Sequence, residues 1–286
     1  LSKKLKLDIA VNLTGLTFNA RYKIFFDQLA PKQINYLGYP GTMGTKCFDY
    51  IIADKIVIPE ENKKYFSEEI IYLPNCYQAN QEKIEISNKN IDKKDFGLPK
   101  DKFIFGCFNN SFKITPLIFK SWMNILKSCE SSVLWLLQDQ KLGRQNLWKE
   151  AEKQEVNKER IIFADRVPVK EHLKRLEFID LFLDTFPYNA HTTASEAIRA
   201  GVPILTLKGK SFPSRVASSI LTNVGLENLI VSNLEDYETK AISLAKNYKE
   251  IESLKKYLNQ DKNLSKLFDS KAFTKDLEKI YKKIIN

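Results

Sequence analysis

The stretch Leu183–Leu207, LDTFPYNAHTTASEAIRAGVPILTL, decides how the rest of the chain is read. It begins as the end of an apolar strand (IDLFLDT), turns through FPYNA, restarts as a helix at HTTASEAIRAG and runs into a second apolar strand, PILTL. Strand, loop, helix and strand in this succession form the unit of a parallel sheet, whose neighbouring strands need a crossover that is usually helical. The loop carries His191, one of only two histidines in 286 residues; the other is His172. Backbone N–H groups at a helix start attract phosphate, and the helix dipole adds to the attraction. Thr192 and Thr193 place hydroxyls at that end, and His191 places an imidazole able to donate to a phosphate oxygen. An ordinary reading stands beside this one. Thr193 and Glu196 have the T-x-x-E spacing of a capping box, and spacing alone gives it at least equal weight.

Outward from this stretch the same alternation continues. FIFGCF, SVLWLL and RIIFA read as strands, separated by TPLIFKSWMNILKS and RQNLWKEAEKQEV as helices. Thr115 is placed to cap the first helix, with Pro116 in its first turn and Ile118, Trp122, Ile125 and Leu126 on its apolar stripe. Another helix is expected near Glu171. Nearly continuous apolar strands between helices predict an α/β fold with a parallel sheet covered on both faces, doubly wound and Rossmann-like. In the first third, LDIAVNL, QINYL, YIIAD and EIIYLP read as strands, followed by a polar stretch between Asn75 and Lys100. The spacing of Tyr237, Ala241, Leu244, Tyr248 and Ile251, and of Phe273, Leu277, Ile280, Tyr281 and Ile284, predicts amphipathic helices at the C-terminus. The expected divisions are 1–85, a linker at 86–100, a lobe at 101–232, and helices packing back on the lobes at 233–286.

In a doubly wound sheet, ligands collect beyond the carboxyl ends of the strands. Three such ends carry donor side chains: Lys113 after FIFGCF, His172 and Arg175 in the helix after RIIFA, and the His191 loop. Each has a plainer role open to it, as a solvated lysine, a half-exposed helical histidine or a surface salt-bridge partner. Together they suggest one anionic ligand. Gly38, Gly41 and Gly44 in YLGYPGTMG permit close backbone approach, but the spacing is neither G-x-G-x-x-G nor G-x-x-x-x-G-K. No D-x-D occurs, so fixed protein donors are the economical way to balance a diphosphate.

The net charge of +10 comes from dispersed lysines mixed with 35 acidic residues, which reads as a solvated surface rather than a nucleic-acid footprint. Cys47, Cys76, Cys107 and Cys129 form no C-x-x-C pair, which argues against zinc, and a buried Cys107 suits a reducing, cytoplasmic compartment. No apolar run reaches bilayer-spanning length.

Taken together, LDTFPYNAHTTASEAIRAGVP, NYLGYPGTMG, FNNSFKITP with SWMNILKSCESSVLWLL, FPSRVASSIL and LFDSKAFTKDLEKIY resemble the protein O-linked N-acetylglucosamine transferase and SPINDLY family, in order and spacing over nearly the whole chain. The resemblance implies the GT-B glycosyltransferase architecture of two Rossmann-like lobes. Residues 1–85 would be the C-terminal part of an incomplete N-terminal lobe, and 101–232 the nucleotide-sugar lobe. It implies an inverting, metal-independent enzyme without a cofactor, moving N-acetylglucosamine from UDP-GlcNAc to serine or threonine of a protein or peptide acceptor. By position, Lys113 and His191 would be catalytic. Lys113 would neutralise the diphosphate with Asn110 beside it, and His191, Thr192 and Thr193 would hold phosphates. Glu196 is expected near the ribose, His172 and Arg175 along the nucleotide, and the backbone near Val167 at the base. Gly38, Tyr39, Pro40, Gly41 and Thr42 would form a sugar loop between the lobes.

Two departures stand out. Where some members have lysine this chain has Val169, followed by Lys170. Members also carry an earlier histidine proposed to act at the acceptor, whereas no histidine precedes His172 here. The acceptor-side base is therefore expected upstream of Leu1, and tetratricopeptide repeats are not seen. The alternatives are a GDP-fucose or other hexosyltransferase of the same architecture, against which the H-T-T block weighs, and a non-catalytic nucleotide-binding module.

Overall fold

Four short strands organise the first part of the computed structural model, which describes residues 2–138 and 140–285. They are β1 (Ile9–Asn12), β2 (Lys32–Asn35), β3 (Tyr50–Ala53) and β4 (Glu69–Tyr72), all parallel and in sequential order. Each falls on an apolar run that predicts it, and Ile34, Ile51, Ile52 and Ala53 form the buried centre. Asp54 ends β3 and turns the chain by accepting the N–H groups of Ile56 (2.8 Å), Val57 (3.0 Å) and Tyr77 (2.9 Å). The loops after β1 and β2 meet at backbone distance. A Cβ on Gly38 would lie 2.1 Å from Leu13 O, and one on Gly15, whose φ is +60°, 2.1 Å from Tyr39 Cβ. Only glycine fits there. Glu68 fixes the far end of the YPGTM turn, accepting from Thr42 Oγ1 and Met43 N–H, each at 2.6 Å.

The chain divides into two compact units: residues up to Glu82 together with those from Lys266 onward, and Lys83–Ser265. The second unit holds β5 (Phe103–Cys107), β6 (Ser132–Leu137), β7 (Ile161–Ala164), β8 (Leu181–Leu183), β9 (Ile204–Leu207) and β10 (Ile230–Val231). These six parallel strands lie in the order β10-β9-β8-β5-β6-β7. The chain thus starts in the middle, winds out to β7, returns beside β5 and winds out the other way. This is the Rossmann order 3-2-1-4-5-6, and its direction reverses between β5 and β8.

The helices of this unit are α2 (Pro116–Ser128), α3 (Lys141–Lys153), α4 (Val169–Leu176), α5 (Thr192–Arg199), α6 (Val216–Asn223), α7 (Leu234–Lys246) and α8 (Tyr248–Leu258), after a short α1 (Ser2–Leu5) in the first unit. Thr115 caps α2 by accepting the Ile118 N–H, and Ile118, Trp122, Ile125 and Leu126 are buried as their spacing predicts. α7 packs on α2 and β9, where Trp122 Nε1 donates to Tyr237 Oη (3.3 Å) and Tyr237 Oη donates to Asp184 O (2.9 Å). Gly106 in β5 passes under Ile179, whose Cδ1 would lie 2.4 Å from an added Cβ.

Several sequence expectations are modified. Residues 86–100 pack within the second unit: Ser87 N–H donates to Lys170 O (3.2 Å), and Phe96 contacts Trp135 and Phe178 at ring separations of 5.5 and 5.9 Å. The C-terminal region is not one group. α7 and α8 belong to the second unit, α9 (Asp261–Phe268) spans the division, and α10 (Ser270–Ile285) belongs to the first. Tyr248 is exposed rather than on the buried stripe, because Asn247 ends α7 and caps α8 through the Glu250 N–H, which resets the helical phase. Among the described residues, no helix is long and apolar enough to cross a membrane.

Candidate active site

The reversal between β5 and β8 leaves two loops side by side at the carboxyl ends of the strands, and both carry predicted residues. After β5, Asn110 starts a single 3-10 turn, Ser111–Lys113, before Thr115 opens α2. After β8, Asp184–Ala190 forms the loop that precedes His191 and α5. Thr115 ties the two together, its hydroxyl donating to Phe186 O at 3.0 Å.

Asp184 anchors the second loop from beneath. Its carboxylate is fully buried and accepts the Thr185 N–H (2.8 Å), the Ala190 N–H (2.6 Å), the Thr206 hydroxyl (2.7 Å) and, more distantly, Asn109 Nδ2 (3.4 Å). Burial pushes its carboxyl up, against the pull of these donors and of Lys113. Lys113 arrives over this loop. Its ammonium donates to Asn189 O at 2.8 Å and lies 4.1 Å from the centre of the Tyr188 ring. Burial lowers the ammonium to about 8, with the Asp184 charge acting in the opposite sense. Lys113 is not the solvated surface lysine of the plainer reading. It remains mostly protonated at neutral pH.

The T-x-x-E spacing does not make a capping box. His191 occupies the N-cap position of α5 without a side-chain cap bond, and Glu196 Oε2 instead faces His172 Nε2 at 3.7 Å. Arg175 is 2% exposed, which removes the surface salt-bridge reading. Its Nη1 donates to Asp165 O (2.6 Å), its Nε donates to His172 Nδ1 (3.2 Å), and its guanidinium lies 4.8 Å from the centre of the Phe108 ring. Because Nδ1 accepts, the neutral His172 ring carries its proton on Nε2, toward Glu196. Burial, then Arg175 and Arg166, lower His172 to about 4. Burial also raises the Glu196 carboxyl.

A cavity of about 320 Å³ opens on these groups, and Asn110, Lys113, Val167, His172, Arg175, Thr193 and Glu196 all line it. His191 and Thr192 are not among its walls. His191 stacks on Tyr188, with ring centres 4.9 Å apart, and its Nε2 lies 3.4 Å from Pro213 O. Burial, reinforced by Lys113, lowers this imidazole to about 3, so the ring is neutral and its single N–H is committed to the carbonyl. Donation from Nδ1 to a phosphate requires a second proton. Gly38, Tyr39, Pro40, Gly41 and Thr42 form the turn between β2 and β3 in the first unit.

Asn109, Arg166, Phe108 and Leu137 also line the cavity, although none of them is among the residues predicted for the site. Asn109 is 2% exposed and donates to Thr185 Oγ1 at 2.7 Å, while its Oδ1 has no partner among the described residues. Its neighbour Asn110 gave the available signal, since both follow the same strand end.

A Rossmann-ordered unit whose donor side chains meet at the switch point, in a chain with a second all-parallel unit, defines the GT-B class of glycosyltransferases. A family model described as Glycosyl transferase family 41 matches residues 3–93 and 77–277. The chain is 40% identical over 288 residues to a probable UDP-N-acetylglucosamine–peptide N-acetylglucosaminyltransferase, SEC, of Arabidopsis thaliana, covering 98% of this chain and 29% of that protein. It is 32% identical to the probable enzyme of the same description, SPINDLY, of Solanum lycopersicum, covering 97% of this chain and 30% of the relative. The solved structure of a Thermobaculum terrenum O-GlcNAc transferase mutant superposes with a TM-score of 0.90 at 26% identity, over 99% of this chain and 54% of that one. Anabaena HepE in complex with UDP shares the fold at a TM-score of 0.66 and 11% identity, over 97% of this chain and 80% of its own. The chain belongs to glycosyl transferase family 41. It spans less than a third of the length of these two plant relatives.

Proposed function

We propose that this chain supplies the donor-binding and leaving-group side of an inverting glycosyltransferase that moves N-acetylglucosamine from UDP-GlcNAc to serine or threonine of a protein or peptide. The observation that carries the proposal is the single cavity at the β5/β8 switch point, walled by Lys113, Asn110, His172, Arg175, Thr193 and Glu196. Its cationic and polar lining suits a nucleoside diphosphate. Lys113 and the start of α5 meet the phosphates, Glu196 the ribose, and the backbone at Val167 the base. The curated relatives named as UDP-GlcNAc–peptide transferases support the choice of donor and acceptor. Four cysteines, none in a disulfide and three of them buried, support a reducing, cytoplasmic setting.

The acceptor hydroxyl attacks the anomeric carbon from the face opposite the departing nucleotide and gives up its proton to a base on the acceptor side, which is none of the residues lining this cavity. The glycosidic C–O bond to the diphosphate breaks as the new one forms. Negative charge grows on the leaving oxygen, and Lys113, fixed beside it in a partly dry site, stabilises that growth more in the transition state than in the ground state. Charge balance on the diphosphate rests on fixed protein donors in this scheme, with no metal required. His191 would contribute once the arriving phosphates allow its ring a second proton.

In the full-length protein, Lys113→Ala should lower the rate of sugar transfer from UDP-GlcNAc to a peptide by roughly a hundredfold or more. His191→Ala should weaken both binding and turnover. Undiminished transfer by Lys113→Ala would remove the leaving-group role, and a preference for GDP-fucose over UDP-GlcNAc would change the donor.

A further inference from the structure

Resting on the donor-site reading above, the structure assigns Arg166 as a second cationic contact for the donor diphosphate. A nucleoside diphosphate sugar carries two negative charges on its phosphoryl groups, and the cavity must meet them. Both histidines are neutral, so the cations lining the cavity are Lys113, Arg166 and Arg175. Arg175 is already engaged: it is 2% exposed, with Nη1 on Asp165 O, Nε on His172 Nδ1 and its plane against Phe108. It acts as a buried brace for His172.

Arg166 differs in each respect. It follows β7, is exposed, lines the cavity and, among the described residues, donates one hydrogen bond, from Nη2 to Asn110 Oδ1 at 2.8 Å. That bond reaches from the end of β7, past the end of β6, to the loop that carries Lys113 three residues after Asn110. A guanidinium has five N–H donors in a planar fork, so most of its capacity is left for a ligand, and the fork matches two oxygens of a phosphoryl group. The other side chains of that wall, Val167 and Val169, are apolar and offer no competing charge.

Calorimetric titration of the whole chain with UDP and, separately, with uridine tests the assignment. Arg166 is exposed and makes this single hydrogen bond among the described residues, so Arg166→Ala should fold normally, with an unchanged unfolding midpoint. UDP affinity should fall roughly tenfold or more, uridine affinity should be unchanged, and Arg166→Lys should recover part of the loss. Equal losses for UDP and uridine would overturn the assignment in favour of contact with the base. UDP affinity that survives Arg166→Ala but collapses in Lys113→Ala would overturn it while leaving the donor site intact. An unaltered chain that binds no UDP would overturn both.

Discussion

Lys113 and Asp184 illustrate how a residue's surroundings decide its task. Placed over a buried loop, the lysine donates to Asn189 O and has an ammonium near pKa 8, so it loses its charge in a range where surface lysines keep theirs. A diphosphate binds the protonated form. Below pH 8 the free protein already holds that proton. Above pH 8 the proton must be taken up on binding, so UDP affinity should fall by about tenfold per pH unit until the pKa of the bound state is reached. Calorimetry from pH 7 to 9.5 should show this slope together with proton uptake from buffer, and both should vanish in Lys113→Ala. A flat profile in the unaltered chain would mean that Lys113 titrates elsewhere or does not meet the ligand. Lys113, His172 and Arg175 could be named as candidates from the sequence because each follows a recognisable strand end, and the structure brings all three to one cavity. Arg166 could not be, since an arginine in ADRVPVK has no local pattern separating it from a surface charge. Glu196 shows the converse. Its spacing from Thr193 suggested a cap, but its partner is His172, 24 positions upstream, and local spacing carries no trace of that pairing.

At the level of elements, the site depends on two loops being held at the switch point. Thr115 serves both, accepting the Ile118 N–H at the start of α2 and donating to Phe186 O across the gap. Thr115→Ala should cost about 1 kcal/mol from the lost cap, read as a lower urea midpoint, and should also loosen the β8–α5 loop, read as weaker UDP binding. Thr115→Ser should retain both. Stability and affinity both unchanged in Thr115→Ala would show that the tie contributes nothing. The strands were readable because buried parallel strands are continuous apolar runs, as in SVLWLL, all six residues of which are buried. The break at Asn247 was hidden because the apolar spacing from Tyr237 runs on through Tyr248 to Ile251, while the side chain that stops one helix and starts the next is small and polar.

For the molecule as a whole, the alternation of strands and helices led correctly to a parallel, doubly wound sheet, and the reversal at β5 and β8 marks the crevice where such sheets collect ligands. The sequence did not reveal which unit each C-terminal helix joins, because amphipathic spacing marks a buried face without naming what covers it. Nor did it reveal that the polar segment around residues 86–100 is stitched to the second unit by Phe96 lying against Trp135. Polar composition concealed one aromatic anchor. On the proposed function, one cavity in the second unit holds the diphosphate of the donor nucleotide. A crystal structure of the chain grown with UDP tests it most directly. Phosphoryl oxygens should lie roughly 3 Å from Lys113 Nζ and from backbone N–H groups at the start of α5. UDP seated elsewhere, with Lys113 still bound only to Asn189 O, would contradict it.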